Sequence, residues 1–461
     1  MSQLSSEFLQ AVAEISQFSD AAAMQKYQRD YTVAREGVLP LLVLRPKNTE
    51  EVVQIVKACR QFHQKYVVQG GLTGLAAGAT VQEGEVVITL DNMTQIEEID
   101  DVGGTVVAQA GVILHNLTEA VQAKDWYFPL DLGARGSCTI GGNVSTNAGG
   151  NRVLRYGTTR ELVLGLEVVL PDGTVLNMLR RMLKNNTGMD LKHLFIGTEG
   201  RYGIITRVVL RLFPKPQARQ SALMAFKDFD QLVTMLKFAR QQLVDLSSFE
   251  VMWDNYLIAA SQALEREAPF NGQYPLYALV ETEGLNTQDF HDRFMACAEA
   301  AVEQGLVEDL ILPHSIEQTQ RLWDIRDAIG KLIGKFSEKG LHVAYDVSFP
   351  LKNMKAFVHD MEVAILDNFK DAHLLLFGHL GDGNLHPTIT GLKEQELHDL
   401  DQIMSALIVK YEGSITAEHG VGILKKPYLS SSRSAPEIAI QEALRKLLNS
   451  DNLLNQGRVL D

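Results

Sequence analysis

Apolar and polar positions follow two styles along this chain. Up to about residue 216, short β-branched runs are separated by glycine turns; beyond 217, strand-like and helix-like segments alternate. LLVLR (41–45), bracketed by Pro40 and Pro46, reads as a strand. Asn48 then offers a helix cap, Glu51 follows three residues later, and Val52, Ile55, Val56, Cys59 and Phe62 keep to one helical face. KYVVQ (65–69) and VVITL (86–90) read as strands flanking GGLTGLAAGA (70–79). A second group follows: the strand TVVAQAGV, a helix over 113–123, and the small-residue segment GSCTIGGNVSTNAGG (136–150). A hairpin across Pro171-Asp172-Gly173 and the strand GIITRVVLRLF (203–213) complete it, and PKP at 214–216 marks a linker.

In the second half, helices predicted over 229–242, 290–304 and 351–369 interleave with the strands LMAF, PLYALVE and HVAYDVSF and with the run LLLFGHLGDGNLHPTIT. That order predicts an α+β domain with an antiparallel sheet and helices on one face. After 400 the chain reads as mostly helical. The expected division is 1–216, 217–405 and 406–461. The N-terminal stretch MSQLSSEFLQAVAEISQF lacks a basic leader and carries acids, so it reads as an amphipathic helix and not as a signal peptide.

Composition narrows the function. With 43 Lys+Arg against 57 Asp+Glu, the net charge is −14, which disfavours a nucleic-acid partner. Three widely spaced cysteines, Cys59, Cys138 and Cys297, give neither a disulfide framework nor a metal knuckle, and point to a reducing, cytoplasmic setting. No apolar run is long enough to span a membrane.

GGLTGLAAGA follows a strand, so its backbone N–H groups could cradle a phosphate; a plain glycine turn fits equally well. The GxGxxG spacing is absent. In GSCTIGGNVSTNAGG five of 15 residues are glycine and most others are small and polar, which suits a segment lying along a polar-edged ligand. A tight packing corner is the alternative. Two such loops without the Rossmann spacing favour a flavin dinucleotide over NAD. His379 and His386, separated by six residues with Gly381-Asp382-Gly383 between them, could stand on neighbouring strands. Glu418 and His419 lie in a second glycine-rich segment, and two histidines plus a carboxylate form a metal-ligand set with open positions. Arg326, on a predicted helix, could clamp a carboxylate.

With VVQGGLTG, GSCTIGGNVSTNAGG, LRYGTTRELVLGLEVVLPDGTVL, KNNTGMDLKHLFIGTEG, GHLGDGNLHP and TAEHGVG in this order, the chain resembles the FAD-dependent D-2-hydroxyacid dehydrogenases of the vanillyl-alcohol-oxidase-type flavoprotein family. D-2-hydroxyglutarate and D-lactate dehydrogenases are the nearest branches. The resemblance implies a two-subdomain FAD-binding domain, an α+β substrate cap and a C-terminal helical segment completing the active site. It implies that Gly70, Gly71, Thr73 and Gly74 hold the pyrophosphate, and that Ser137, Gly142, Asn143, Thr146 and Asn147 line the dinucleotide and flavin, with Gly203, Ile204 and Asn455 completing the site. It implies a divalent metal, Zn or Mn, on His379, His386 and Glu418, with His419 as general base and Arg326 on the substrate carboxylate. No tethering side chain lies in 70–74, so FAD is expected to be non-covalent.

The implied reaction is hydride transfer from a small D-2-hydroxy acid to flavin N5, with electrons leaving to a quinone or an electron-transfer flavoprotein. A homodimer is one expected assembly. A flavin-dependent alcohol or glycolate oxidase and a non-catalytic FAD electron-transfer subunit are the competing readings. The chain departs from the hydroxyglutarate branch at Gly330, Ala344 and Thr388, where that branch carries polar and cationic partners for a second carboxylate. Met189 and Arg201-Tyr202 also replace more usual family residues.

Overall fold

Asn48 accepts the Glu51 N–H on its side chain at 2.8 Å and starts the helix Thr49–Gln61, as its spacing predicts. In the computed structural model, which describes residues 4–32, 35–336 and 341–460, this helix belongs to a unit of residues Met1–Gly150, Gly157–Lys215 and Glu418–Asp461. Its first sheet has strands β1 (Gln17–Phe18), β2 (Val43–Leu44), β3 (Lys65–Gln69) and β4 (Glu85–Thr89) in the order β1-β2-β4-β3. β4 runs parallel to β2 and β3, and its residues are buried, which explains a continuous apolar run in place of alternation. Leu453 and Asn455 bond the backbone of Tyr66, so the C-terminal segment extends this sheet beyond β3.

The second sheet is antiparallel. Strands β5 (Ile96–Asp100), β6 (Thr105–Gln109), β8 (Val163–Val169), β9 (Val175–Met178) and β10 (Ile204–Arg211) take the order β5-β6-β10-β8-β9. The predicted hairpin is β8–β9. β7 (Trp126–Tyr127) pairs with β11 (Phe213–Pro214).

Segment 136–150, read from sequence as a small-residue loop, contains the short helix Ile140–Thr146. Thr139 caps it, Ile140 and Val144 bury one face, and Asn147 ends it in the left-handed conformation. The N-terminal helix covers only Ser6–Ala11.

The second unit comprises Asn151–Tyr156 and Pro216–Ala417. The segment expected as a separate C-terminal piece from 406 therefore divides at 417/418. The main sheet of this unit is antiparallel, with β12 (Ala218–Phe226), β13 (Leu246–Trp253), β14 (Leu276–Gly284), β15 (Asp309–Ile311), β17 (Val347–Ser348), β19 (Phe377–His379) and β20 (Asn384–Leu385). Their order is β15-β12-β14-β13-β19-β20-β17. A small sheet holds β16 (Leu341–Ala344), β18 (His373–Leu375) and β21 (Thr388–Leu392). The long glycine-rich run thus breaks into four short strands. HVAYDVSF is likewise split between β16 and β17. β13 and the following helix Asp254–Ala263 carry no clear local pattern: every β13 residue is buried, so LSSFEVMW shows no two-residue alternation. Tyr256 stacks on Phe377 at 4.4 Å between ring centres, tying that helix to β19.

Candidate functional site

The first unit contains a cleft of about 400 Å³. Gly70, Gly71, Thr73 and Gly74 line it after β3; Gly142, Asn143 and Thr146 line it from the short helix. Gly203, Ile204 and Asn455 contribute to its wall, as do Glu418 and His419. The two glycine-rich segments touch through backbone: a Cβ on Gly71 would overlap the Ser137 carbonyl oxygen. Ser137 and Asn147 do not line the cleft. The Ser137 carbonyl packs on Gly71, and the Asn147 side chain accepts from Thr158 Oγ1 at 3.1 Å and from the Arg160 N–H at 2.9 Å. Asn455 uses its side chain as a brace, accepting from Val68 N at 3.0 Å and donating to the Glu199 carbonyl at 2.9 Å.

Two acids in the cleft lining carried no sequence signal. Asp30 is buried and accepts from Ala79 N and Thr80 Oγ1, both at 3.2 Å, and from Thr32 N at 3.1 Å, which fixes the far end of the glycine segment. Glu199 accepts from Val421 N at 2.6 Å and Gly422 N at 2.8 Å, anchoring the turn that follows His419. Burial holds the Glu199 carboxyl above its ordinary range, although those two N–H donors pull the other way. Glu418 accepts from Gly150 N at 2.5 Å. Burial also raises the Cys138 thiol, which receives the Asn143 amide at 3.6 Å, so this cleft residue is a neutral thiol and not a thiolate.

Walls of glycine and other small residues let backbone N–H groups approach a long anionic ligand, and the volume lies within the usual range for cofactor sites. The cleft therefore fits a dinucleotide.

In the second unit, the β19–β20 pairing sets Gly378 opposite Leu385 and His379 opposite Asn384, and His386 follows β20 directly. The two imidazoles meet edge to face with ring centres 5.3 Å apart. Buried Arg326, at the end of the helix Ile316–Arg326, sends Nε to Glu250 Oε2 at 2.8 Å and Nη2 to the same oxygen at 2.7 Å. Its Nη1 meets Asp327 at 3.1 Å, and its plane lies 5.2 Å from the Phe377 ring centre. His379 Nδ1 lies 2.8 Å from Glu250 Oε2. Burial alone would raise the Glu250 pKa, but His379 and Arg326 more than offset it and hold this carboxyl below its ordinary range. Burial would likewise lower Arg326, and Glu250 and Asp327 reverse that. Asp346, fully buried, lies 3.9 Å from His386 Nδ1 and accepts from Asn384 Nδ2 at 2.8 Å and Ala417 N at 3.0 Å. Neither Glu250 nor Asp346 stood out in the sequence, because each is a lone acid in an apolar run.

Two imidazoles, each with a buried carboxylate near Nδ1, match the chemistry of divalent-metal ligands whose rings are oriented by second partners.

Comparison with known proteins agrees with the dinucleotide reading. Residues 40–179 match the FAD binding domain family, and residues 215–459 match the FAD linked oxidases, C-terminal domain. The chain belongs to the FAD-linked oxidases. It is 36% identical over 459 residues to the mitochondrial D-2-hydroxyglutarate dehydrogenase of Arabidopsis thaliana, covering 99% of this chain and 81% of that one. It is 35% identical over 451 residues to the D-2-hydroxyglutarate dehydrogenase of Stutzerimonas stutzeri, covering 96% and 95%. The solved 4-ethylphenol oxidase of Gulosibacter chungangensis superposes with a TM-score of 0.77 at 17% identity, over 99% of this chain and 98% of that one, and shares the fold. The resemblance read from the motifs therefore holds across the chain, and this FAD-linked oxidase has the vanillyl-alcohol-oxidase-type fold. Among its described residues no helix is long and apolar enough to cross a membrane.

Proposed function

We propose that this FAD-linked oxidase converts a D-2-hydroxy acid to its 2-oxo acid with the help of a divalent cation, zinc or manganese, and delivers the electrons to an acceptor other than NAD, such as a quinone or an electron-transfer flavoprotein. The names of its relatives support the substrate class. The observation that carries the reading is the His379–His386 imidazole pair beside a buried arginine, a combination suited to a cation and a carboxylate at once.

FAD would lie along Gly70, Gly71, Thr73 and Gly74 and across Gly142, Asn143 and Thr146, with Ser137 and Asn147 acting through the backbone and cap contacts that shape this wall. Gly203, Ile204 and Asn455 would close it. Glu418 would complete the metal set of His379 and His386, leaving positions for substrate. Bound FAD supplies the two-electron sink, and the cation supplies Lewis acidity at the substrate hydroxyl. Arg326 binds the substrate carboxylate through its Nη1 edge, where Asp327 now offers a carboxylate of the same chemistry. His419 accepts the hydroxyl proton.

Specificity for the rest of the substrate follows from neutral side chains. Ala344 and Thr388 are direct cross-strand partners, and Gly330 has open space where a side chain would stand. None of these three supplies a cation for a second carboxylate, which favours a short or apolar side chain. The test is anaerobic titration of the purified flavoprotein with D-lactate, D-malate and D-2-hydroxyglutarate. Bleaching of the flavin band by at least one is expected. FAD that stays oxidised with all three sinks the assignment and favours a non-catalytic electron-transfer subunit.

A further inference from the structure

We propose that Glu250 is a positioning residue that serves both halves of the site, fixing the ring of His379 toward the cation and the fork of Arg326 toward the substrate. This rests on the function proposed above, in which His379 is a metal ligand and Arg326 the carboxylate-binding group.

The geometry begins in the sheet. β13 pairs with β19 so that Glu250 and His379 are directly opposed residues, and directly opposed side chains stand on the same face of the sheet. The backbone register therefore delivers the carboxylate to the imidazole. Glu250 Oε1 and Oε2 lie 3.0 and 2.8 Å from His379 Nδ1, while Arg326 Nε and Nη2 reach Oε2 at 2.8 and 2.7 Å. Glu250 is 1% exposed, and His379 and Arg326 are each 6% exposed, so water is a poor substitute for any of these partners.

Two consequences follow for chemistry. A carboxylate at Nδ1 selects the tautomer with its proton on Nδ1 and its lone pair on Nε2, where Arg326 Nη2 now lies at 3.1 Å in the position a bound cation would take. The same anion holds the Nε–Nη2 edge of the guanidinium, which turns Nη1 toward the carboxylate position now taken by Asp327. One side chain therefore couples cation affinity to substrate affinity. A carboxamide in its place keeps the shape but loses the charge, and one of its two ends becomes a donor facing donors.

The experiment uses the FAD-loaded protein, stripped of metal with a chelator and titrated with zinc against a chromophoric chelator. In parallel, KM is measured for the best 2-hydroxy acid. Glu250→Gln is expected to weaken zinc binding about 10- to 100-fold and to raise KM, with FAD content unchanged. Glu250→Asp, which keeps the anion one methylene short, is expected to fall between the two. If Glu250→Gln binds zinc as tightly as the parent protein, the positioning role is wrong while the metal assignment survives. If the parent protein itself takes up no zinc or manganese, the metal assignment fails, and this inference with it. Should Glu250→Gln not fold, Glu250→Asp carries the comparison, and zinc affinity and KM both equal to the parent's overturn the role.

Discussion

Arg458 and Glu85, 373 residues apart in sequence, form a fully buried two-pronged ion pair with N–O distances of 2.7 and 2.8 Å. The same guanidinium donates to the carbonyls of Gly78 at 2.8 Å and Thr80 at 2.6 Å, so the C-terminus is bolted to the end of the glycine segment that lines the cleft. Removing one member leaves the other charged and dry. Arg458→Ala should cost about 3–5 kcal/mol of stability and lower FAD retention. Replacing both members by methionine should cost less, as read by denaturant unfolding and flavin content.

Backbone contact between the two glycine-rich segments gives a second expectation. Gly71→Ala forces a methyl group into the Ser137 carbonyl, so the walls must separate. Purified Gly71→Ala should carry much less FAD than the parent. Gly136→Ala, where a Cβ meets nothing within 4 Å, should be loaded normally. Equal loading of both variants would show that the close approach is unimportant.

Asp30 offers a gentler probe of the same wall. Two of its three accepted hydrogen bonds brace residues 79 and 80, and the third comes from the Thr32 N–H; none contributes an apolar core. Asp30→Ala leaves buried donors unpaired, each worth about 1–3 kcal/mol. FAD should dissociate faster on dilution, a change visible as rising free-flavin fluorescence.

His419, as the proposed base, should matter to chemistry more than to assembly. His419→Ala should retain FAD but reduce it about 10²–10⁴-fold more slowly with substrate in anaerobic stopped flow. Unaltered reduction would remove it from that role. Chelation of the proposed cation should likewise stop turnover with FAD still bound; full activity in verified metal-free protein would exclude a metal from catalysis.

The buried thiols predict a loss of stability at alkaline pH. Burial pushes Cys297 up to about 11 and holds Cys59 well above the ordinary range. Their protons are retained by the folded chain and lost by the unfolded chain above about pH 8.5. The unfolded state then binds fewer protons, so stability falls as pH rises from there toward 11. Cys297→Ala should flatten this alkaline branch in thermal unfolding while leaving the neutral region only modestly lower.

Local pattern was sufficient wherever a structure is set by neighbours in sequence. The Asn48 cap, the strand at 65–69, the hairpin turn at 171–173 and the helix over 229–242 all follow from spacing and turn chemistry within a dozen residues. The two glycine-rich segments were visible as such, but a glycine turn or a packing corner fitted them locally as well; their order along the chain carried the flavin resemblance, which the FAD binding domain match over 40–179 supports. Where local signals competed, reading failed: the helix Ile140–Thr146 hides in a segment dominated by small residues, and its Thr139 cap outweighs their weak propensity.

What tertiary structure alone decided is which distant charges meet. Glu250 is one acid in a buried strand until the register of β13 against β19 sets it opposite His379. Asp30, Asp346 and Arg458 acquire their roles the same way, through partners up to hundreds of residues off. The physical reason is desolvation: an ionised group is costly inside a protein unless another chain segment brings its complement. Composition cannot reveal that pairing, because it depends on how sheets and termini close in space.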